Sequence, residues 1–365
     1  MENTILYLKL KIRIKRKETM KIKNILFYQI ILLTMYTTTI HTEEIGDTWH
    51  FNTKILRDKK ATKIKLLEEG FQEVTFQTED GYTLTGLFLE RPNAKATISF
   101  FHGFCPGGKE GFAPFVKIAP QDYNLLFVDM RGYGDSQGPS FLPNLKNYGR
   151  DDYKDVECAA EFVKEKTKGK PQVIFGWCSG AFNTTTALLK MKEKMVGEKT
   201  KDEDLNIKGL VFDSGFGSII QISKSPLHHV KNKFIPGLFA PLYGGNRKKA
   251  NKSILCRFTS YCLSVFLHVA GLFILPPIIK REPKTNLFDK IQKTDKTPIL
   301  VVHAEDDKYA PWEKQSKLVD KMPQKTLWLI EKGKSSHAEN HLKVKNEYKR
   351  KMGTWLANTL NTQTA

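Results

Sequence analysis

The clearest indication of the fold comes from Val173-Ile-Phe-Gly-Trp-Cys-Ser-Gly-Ala181. An apolar run of the strand type ends near Gly176, Cys178 follows, and a helical pattern begins at about Ala181. A side chain on so sharp a turn needs strained backbone angles. Its neighbours two residues away must be small, so that strand and helix can pass closely. The pattern therefore predicts that Cys178 is a nucleophile projecting from the carboxyl end of a strand.

Short apolar runs on both sides of this stretch alternate with segments of helical length. Uninterrupted apolar runs are typical of strands buried on both faces of a parallel sheet, and their alternation with helices indicates a doubly wound arrangement. The first two strands differ, because polar and apolar residues alternate around Glu79-Asp80-Gly81, which predicts an antiparallel hairpin. The predicted strands span 71–78, 82–89, 96–101, 124–129, 172–176, 207–213, 298–303 and 326–331, and the predicted helices span 149–168, 181–196 and 312–321.

The fold class that follows is α/β, with an eight-stranded, mostly parallel sheet, helices on both faces and an inserted lid. The lid is predicted because the stretch after 213 lacks the strand–helix alternation and holds several prolines and an unusually apolar run at 262–275. The predicted organisation is an N-terminal basic segment with a signal peptide or anchor at 1–44, core at 60–213, lid at 214–294 and core again at 295–360.

An acid and a base are expected to follow the nucleophile in chain order. One strand run leads into His303-Ala-Glu-Asp-Asp-Lys-Tyr-Ala-Pro311, and the last leads into Gly333-Lys-Ser-Ser-His-Ala-Glu339. We predict that Asp307 is the acid, which holds one imidazole nitrogen and fixes the tautomer. We predict that His337 is the base, whose other nitrogen takes the proton from Cys178.

Alternatives stay open at each of these positions. Ser179 is a second candidate nucleophile, Asp306 and Asp213 are candidate acids, and His341 is a candidate base. Histidines that follow strands are also common as supports for their loops, and this structural role is the expectation for His102 and His303.

The oxyanion of an acyl-transfer intermediate needs two backbone N–H donors. One is predicted at Ser179, directly after the nucleophile, and the other at Phe104, in the turn after Phe100-Phe101-His102-Gly103. Cys105 lies in the same turn, where a regulatory disulfide with Cys178 is an alternative to an unpaired thiol.

Together these residues resemble the α/β-hydrolase superfamily, and especially bacterial serine-aminopeptidase-like hydrolases with an N-terminal hairpin. The resemblance covers roughly residues 70–358 outside the lid. It rests on four segments: His102-Gly103, 129–138 (Asp-Met-Arg-Gly-Tyr-Gly-Asp-Ser-Gln-Gly), 303–311 and Ser336-His337-Ala338. Cys178 stands where that family carries serine, so the departure affects the residue that would do the chemistry.

The resemblance implies a hydrolase that cleaves an ester, thioester or amide through a Cys–His–Asp triad and an acyl-enzyme. Two alternatives are an acyltransferase of the same fold and an inactive, membrane-associated binding protein. The expected partner is a small-molecule, acyl or peptide substrate, without a cofactor, a metal or nucleic acid. Membrane contact is expected through the N-terminus and the lid.

The chain is basic, with a formal net charge of +19 over 365 residues. Part of the excess is local, because residues 1–24 hold eight Lys and Arg against Glu2 and Glu18. The remaining charge is spread over surface runs without the interleaved aromatics that favour nucleic-acid binding. The five cysteines are odd in number and lack metal-ligand spacing, so neither a zinc site nor a disulfide framework is predicted; a single Cys256–Cys262 bridge stays open.

Residues 20–42 have the order of a secretory signal, with a basic start, an apolar run and a polar end. The apolar run, 25–36, is short for a membrane-spanning helix, and an Ala-x-Ala cleavage pattern is missing, so a cleaved signal and an uncleaved anchor both stay open. Export or membrane anchoring is predicted, with a cytoplasmic location as the alternative. Export would place Cys178 in an oxidising compartment, which conflicts with a free thiol.

Overall fold

The computed structural model describes residues 59–103, 107–139, 150–198, 205–218 and 297–361, with side chains only as far as 192 in the third range. One eight-stranded sheet runs through these ranges. Its strands are β1 (Gln72–Gln77), β2 (Thr83–Leu89), β3 (Ala96–Phe101), β4 (Tyr123–Asp129), β5 (Gln172–Trp177), β6 (Ile207–Asp213), β7 (Ile299–Ala304) and β8 (Lys325–Ile330).

The strands lie in the order β1-β2-β4-β3-β5-β6-β7-β8. The pairs β1–β2 and β2–β4 are antiparallel, and the other five pairs are parallel. The predicted eight-stranded, mostly parallel sheet with an initial hairpin is therefore confirmed. Each predicted strand lies within about two residues of an observed one, because uninterrupted apolar runs are a strong signal for buried strands.

Seven α-helices accompany the sheet in the described ranges. They are α1 (Lys59–Glu68), α2 (Phe115–Ile118), α3 (Tyr153–Lys166), α4 (Ser179–Glu198), α5 (Trp312–Asp320), α6 (Asn340–Lys343) and α7 (Lys345–Asn361), with a 3₁₀ turn at Lys109–Phe112. Helices α3, α4 and α5 were predicted, whereas α1 and α7 were not. None of the helices in these ranges is both long enough and apolar enough to cross a membrane.

Both faces of the sheet are covered, which explains why its central strands are apolar throughout. Successive residues of a strand point to opposite faces, so Phe101 packs toward one core and Phe100 toward the other. The Phe101 side is covered by α3, α4 and α5, and the Phe100 side by α1, α2 and α7. The Phe100 core is rich in aromatic contacts, with Phe100 5.0 Å from Phe115 and 4.9 Å from Phe175 between ring centroids.

Buried ion pairs hold the segment that follows β4. Lys109 Nζ lies 2.5 Å from Asp129 Oδ2 and 2.9 Å from Asp135 Oδ2, and both Lys109 and Asp129 are buried. Arg131 lies 2.7 Å from Asp155 Oδ1, on helix α3. A buried charge is tolerated only when it is paired in this way. The acidic and basic residues of this segment therefore have a structural role, and they fix the backbone beside the loop that follows β3.

The chain order reverses at β3, which lies between β4 and β5. In open α/β sheets, sites form at the carboxyl ends of the strands beside such a reversal. The residues after β3 and β5 therefore face each other across the crevice, with Gly103 on one side and Cys178 on the other. The predicted segment 1–44 and residues 219–294 of the predicted lid lie outside the described ranges, so the predicted domain boundaries stay predictions.

Candidate active site

Cys178 occupies the single residue between strand β5 and helix α4. Its φ is 53°, in the left-handed region that a non-glycine residue enters only when its surroundings enforce it. The two flanking glycines explain how this turn is possible. A Cβ on Gly176 would collide with the Ala181 backbone, and a Cβ on Gly180 would collide with the Phe101 carbonyl. The turn is therefore built for the side chain at 178, whereas Ser179 already belongs to the helix.

The structure brings His337 and Asp307 together at the neighbouring loops. Nδ1 of His337 lies 2.7 Å from Oδ2 of Asp307. The other carboxylate oxygen of Asp307 accepts the backbone N–H groups of Tyr309, at 2.9 Å, and Ala310, at 2.8 Å. Because three donors converge on it, the Asp307 carboxylate has a fixed orientation, and it in turn orients the imidazole.

The Cys178 side chain is close enough to His337 to interact with it electrostatically. Since Nδ1 is engaged by Asp307, the nitrogen that remains for the sulfur is Nε2. The three predicted catalytic side chains thus lie together, with a hydrogen bond between His337 and Asp307 and an electrostatic interaction between His337 and Cys178. Their catalytic roles stay predictions, because proximity alone does not show turnover.

Cys178, His337 and Asp307, called the array below, influence one another's electrostatics, and the pKa values of His337 and Asp307 shift in opposite directions. Burial by itself lowers the pKa of His337, but the Asp307 carboxylate and the Cys178 thiol outweigh it and raise that pKa well above its usual value. Burial by itself raises the pKa of Asp307, yet the adjacent His337 and then His303 bring it below its usual value. The arrangement therefore favours a protonated imidazole beside an ionised Asp307 carboxylate.

The side chains of the two alternative acids, Asp213 and Asp306, are hydrogen-bonded to groups other than His337. Asp213 accepts hydrogen bonds from Ser214 and Asn340, at 2.8 and 2.7 Å, and from Tyr348 at 2.7 Å. Asp306 accepts the backbone N–H of Gly333 near the surface. Neither carboxylate is hydrogen-bonded to a histidine within the described ranges.

The three other histidines in the described ranges, His102, His303 and His341, are buried and held neutral. His341 lies against the rings of Phe115 and Trp177, and burial lowers its pKa to about 3. His102 accepts the Met130 N–H at Nε2, which leaves Nδ1 to donate to its own loop carbonyl at 2.8 Å. His303 bonds the Ala310 carbonyl at 2.7 Å. Burial also lowers the pKa of His102 and His303, and both rings support backbone as the sequence suggests.

The two predicted oxyanion donors differ in how far the structure describes them. Ser179 is the first residue of α4, where backbone N–H groups have no acceptor within the helix. Phe104 lies outside the described residues. The loop that leads to it nevertheless begins against the nucleophile, because a Cβ on Gly103 would lie 2.9 Å from Cys178 Cβ. Both assignments stay predictions.

Two of the five cysteines lie in the described ranges. Cys158 and Cys178 are free thiols in the described part of the chain, and Cys158 is buried in the core. Cys105, the alternative disulfide partner, lies outside the described residues, as do Cys256 and Cys262. Within the same ranges, no cluster of three or more His, Cys, Asp or Glu side chains could hold a metal ion.

Sequence reasoning missed the residues that surround His337. Ser214, Asn340 and Ser335 form a buried hydrogen-bonded group with Asp213, beneath the loop that carries His337. The available signal was a polar pair, Asp213-Ser214, at the end of an apolar strand. Polar residues at that place face the carboxyl edge of the sheet, where sites lie.

Comparisons with known proteins agree with this architecture. The sequence profile of the family described as "alpha/beta hydrolase fold" matches residues 97–260. Among curated proteins, the uncharacterised protein YfhR of Salmonella typhi is 27% identical over 237 residues, which are 60% of this chain and 72% of that protein.

Two solved structures illustrate the likeness in three dimensions. An esterase of Pyrococcus furiosus superposes with a TM-score of 0.54 at 16% identity, over 79% of this chain and 91% of that one. A bacterial membrane phospholipase A, described as a virulence factor, superposes with a TM-score of 0.53 at 13% identity, over 93% of this chain and 99% of that one. At these identities the likeness shows the fold.

Proposed function

We propose that this chain, which has the α/β-hydrolase fold, is a hydrolase of that superfamily whose nucleophile is the thiol of Cys178. The observation that carries the proposal is that Cys178, on the strained turn between β5 and α4, interacts electrostatically with an imidazole that is fixed by a 2.7 Å bond to Asp307. Nucleophile, base and orienting acid are the three parts that covalent acyl transfer requires.

The proposed reaction has two halves. The Cys178 sulfur attacks the substrate carbonyl, and the oxyanion that forms accepts the N–H of Ser179 and of the loop after Gly103. Collapse of this intermediate breaks the bond to the alkoxide, thiolate or amine, and this leaving group takes the proton from His337. The acyl group stays on the Cys178 sulfur as a thioester. His337, now neutral, removes a proton from water, and the hydroxide attacks the thioester. The acid departs, and the proton on His337 is shared again with the thiol.

The proposed substrate is an acyl ester or an acyl thioester, with an amide as the harder alternative. The esterase and the phospholipase A that share the fold cleave esters by name, which supports this choice without deciding it. The apolar run at 262–275 adds support, since an apolar segment in the predicted lid favours binding of an acyl chain. We propose that this run and residues 20–42 contact the membrane.

The test measures turnover of p-nitrophenyl esters and acyl thioesters of graded chain length by wild type, Cys178→Ala and Cys178→Ser. Cys158→Ala is the matched control, because Cys158 is also a buried, free cysteine but lies between Asp155 and the core. We expect Cys178→Ala to lose turnover by roughly 10³-fold or more, because removing a triad member leaves only binding and the oxyanion donors. We expect Cys158→Ala to keep it.

A thiol-directed probe supplies a second reading on the same proteins. Peptide mapping of the labelled proteins should find the probe on Cys178 in wild type and in Cys158→Ala, and Cys178→Ala should lose that labelled peptide. Equal turnover by wild type and Cys178→Ala would show that another residue, or none, does the chemistry.

A further inference from the structure

Asp213 and Ser214, at the end of β6, are buried and hydrogen-bond to several segments of the site. The proposed reaction gives them no role. The backbone carbonyl of Asp213 accepts the N–H of Cys178 at 3.0 Å. The backbone N–H of Ser214 donates to the Val302 carbonyl at 2.9 Å, on strand β7, which leads into the loop of the acid. This dipeptide therefore ties together the two segments that present the nucleophile and the acid.

The side chain of Ser214 reaches the third segment, the loop that presents His337. Its Oγ accepts the N–H of Ala338 at 2.9 Å and donates to Asp213 Oδ1 at 2.8 Å. Ser214 and Ala338 both have left-handed backbone angles, with φ of 52° and 55°, and both are buried. Such angles persist only where the surroundings hold them, and here each strained residue is held by the other.

The Asp213 carboxylate determines which way the Ser214 hydroxyl points. It also accepts Asn340 Nδ2 at 2.7 Å and Tyr348 OH at 2.7 Å, so it is surrounded by donors. An ionised carboxylate only accepts hydrogen bonds, so the Ser214 hydroxyl directs its proton to Asp213 and a lone pair to Ala338. Burial raises the pKa of Asp213 to about 6, while these three donors limit the rise.

We propose that Ser214 is a positioning residue for His337, because its hydroxyl fixes the loop of the base to the strand end that already holds the segments of the nucleophile and the acid. The inference rests on the proposed function for its catalytic meaning, but its structural content can be measured separately. Ser214 touches neither substrate nor the reacting atoms, and it acts through the backbone of the residue after His337.

The test compares Ser214→Ala with Ser99→Ala. Ser99 is a matched control, because it is fully buried on β3 and its hydroxyl has no hydrogen-bond partner among the described residues. The first readout is the NMR titration of the His337 imidazole, assigned with His337→Gln. The second is kcat and KM for a p-nitrophenyl ester, and urea unfolding checks that each variant is folded.

We expect Ser214→Ala to move the His337 titration to lower pH, because a loosened loop lets the imidazole leave Asp307. We expect kcat to fall roughly 10–100-fold while KM stays within about twofold, as for a displaced catalytic group. Ser99→Ala should change neither. Tyr348→Phe removes one donor to Asp213 without removing the ring, so it should give a smaller shift in the same direction.

An unchanged His337 titration in Ser214→Ala overturns the inference, whatever happens to turnover. If Ser214→Ala does not fold, Tyr348→Phe decides, and an unchanged titration there overturns it equally. A wild type without Cys178-dependent turnover refutes the proposed function instead, and the titration then decides the positioning role alone.

Discussion

His337 lies between a carboxylate and a thiol, and its raised pKa follows from both. A histidine with a raised pKa adds stability that is complete below its unfolded pKa and is lost as pH rises through the folded pKa. Asp307 has a lowered pKa, so it adds stability above its unfolded pKa that is lost as pH falls through the folded one. The pair is therefore fully effective between about pH 4 and pH 6.5.

This window gives a prediction for Asp307→Asn. We expect the free energy of unfolding to fall by about 3 kcal/mol near pH 6, because removing one partner leaves a buried imidazole without its counter-charge. The loss should shrink at alkaline pH, where the wild-type imidazole is itself neutral. Urea unfolding at a series of pH values measures both effects. Asp306→Asn, one residue earlier and near the surface, is the control, and a pH-independent loss would contradict the assigned pair.

The residues of the array were predictable because each follows a strand with a recognisable end. Cys178 is marked by its glycines, and Asp307 and His337 by polar segments after apolar runs. The contribution of Ser214 was not predictable in the same way, because its hydrogen-bond partner Ala338 is far away in the chain. A pattern along the sequence reports local structure, whereas this bond depends on which strand ends meet.

At the scale of elements, the turn between β5 and α4 depends on close approach of backbones. We predict that Gly180→Ala destabilises the fold by about 3 kcal/mol or more, because the added methyl would overlap the carbonyl of Phe101 and force strand and helix apart. Gly353→Ala is the matched control, since Gly353 is also helical and its Cβ would meet open space.

We expect Gly353→Ala to raise the free energy of unfolding by about 0.5–1 kcal/mol, as for an ordinary glycine in a helix. Thermal and urea unfolding of the two variants give the comparison. A Gly180→Ala protein as stable as wild type would mean that the turn is wider than described.

Helix α7 was not predicted, although its sequence contains the signal for it. Its buried residues Tyr348, Met352, Trp355 and Thr359 recur with a helical spacing, so periodicity alone supports the helix. Helix α1 is different, because Leu66 is its one buried residue and it lacks an apolar face. Such a helix depends on tertiary contacts, for example that of Lys59 with the Gly107 carbonyl at 2.9 Å.

For the molecule as a whole, the fold follows from buried strands, whereas the predicted location rests on a segment outside the described residues. Residues 20–42 have the basic, apolar and polar order of an export signal. We predict that the full chain fractionates with membranes or is exported, and that a chain lacking residues 1–44 stays in the cytosol. Cell fractionation with an antibody to the core measures both, and full-length protein confined to the cytosol would refute the prediction.

Strand β6 ends at the residues that hold the three loops together, and the chain returns only at β7, its neighbour in the sheet. The tie is complete by Ser214, and β7 is in register with β6 from Leu210 to Asp213. The hydrogen bonds that Asp213 and Ser214 make to the three loops involve none of residues 219–296. We therefore predict that exchange of this segment changes the choice of substrate, while the bond between His337 and Asp307 persists.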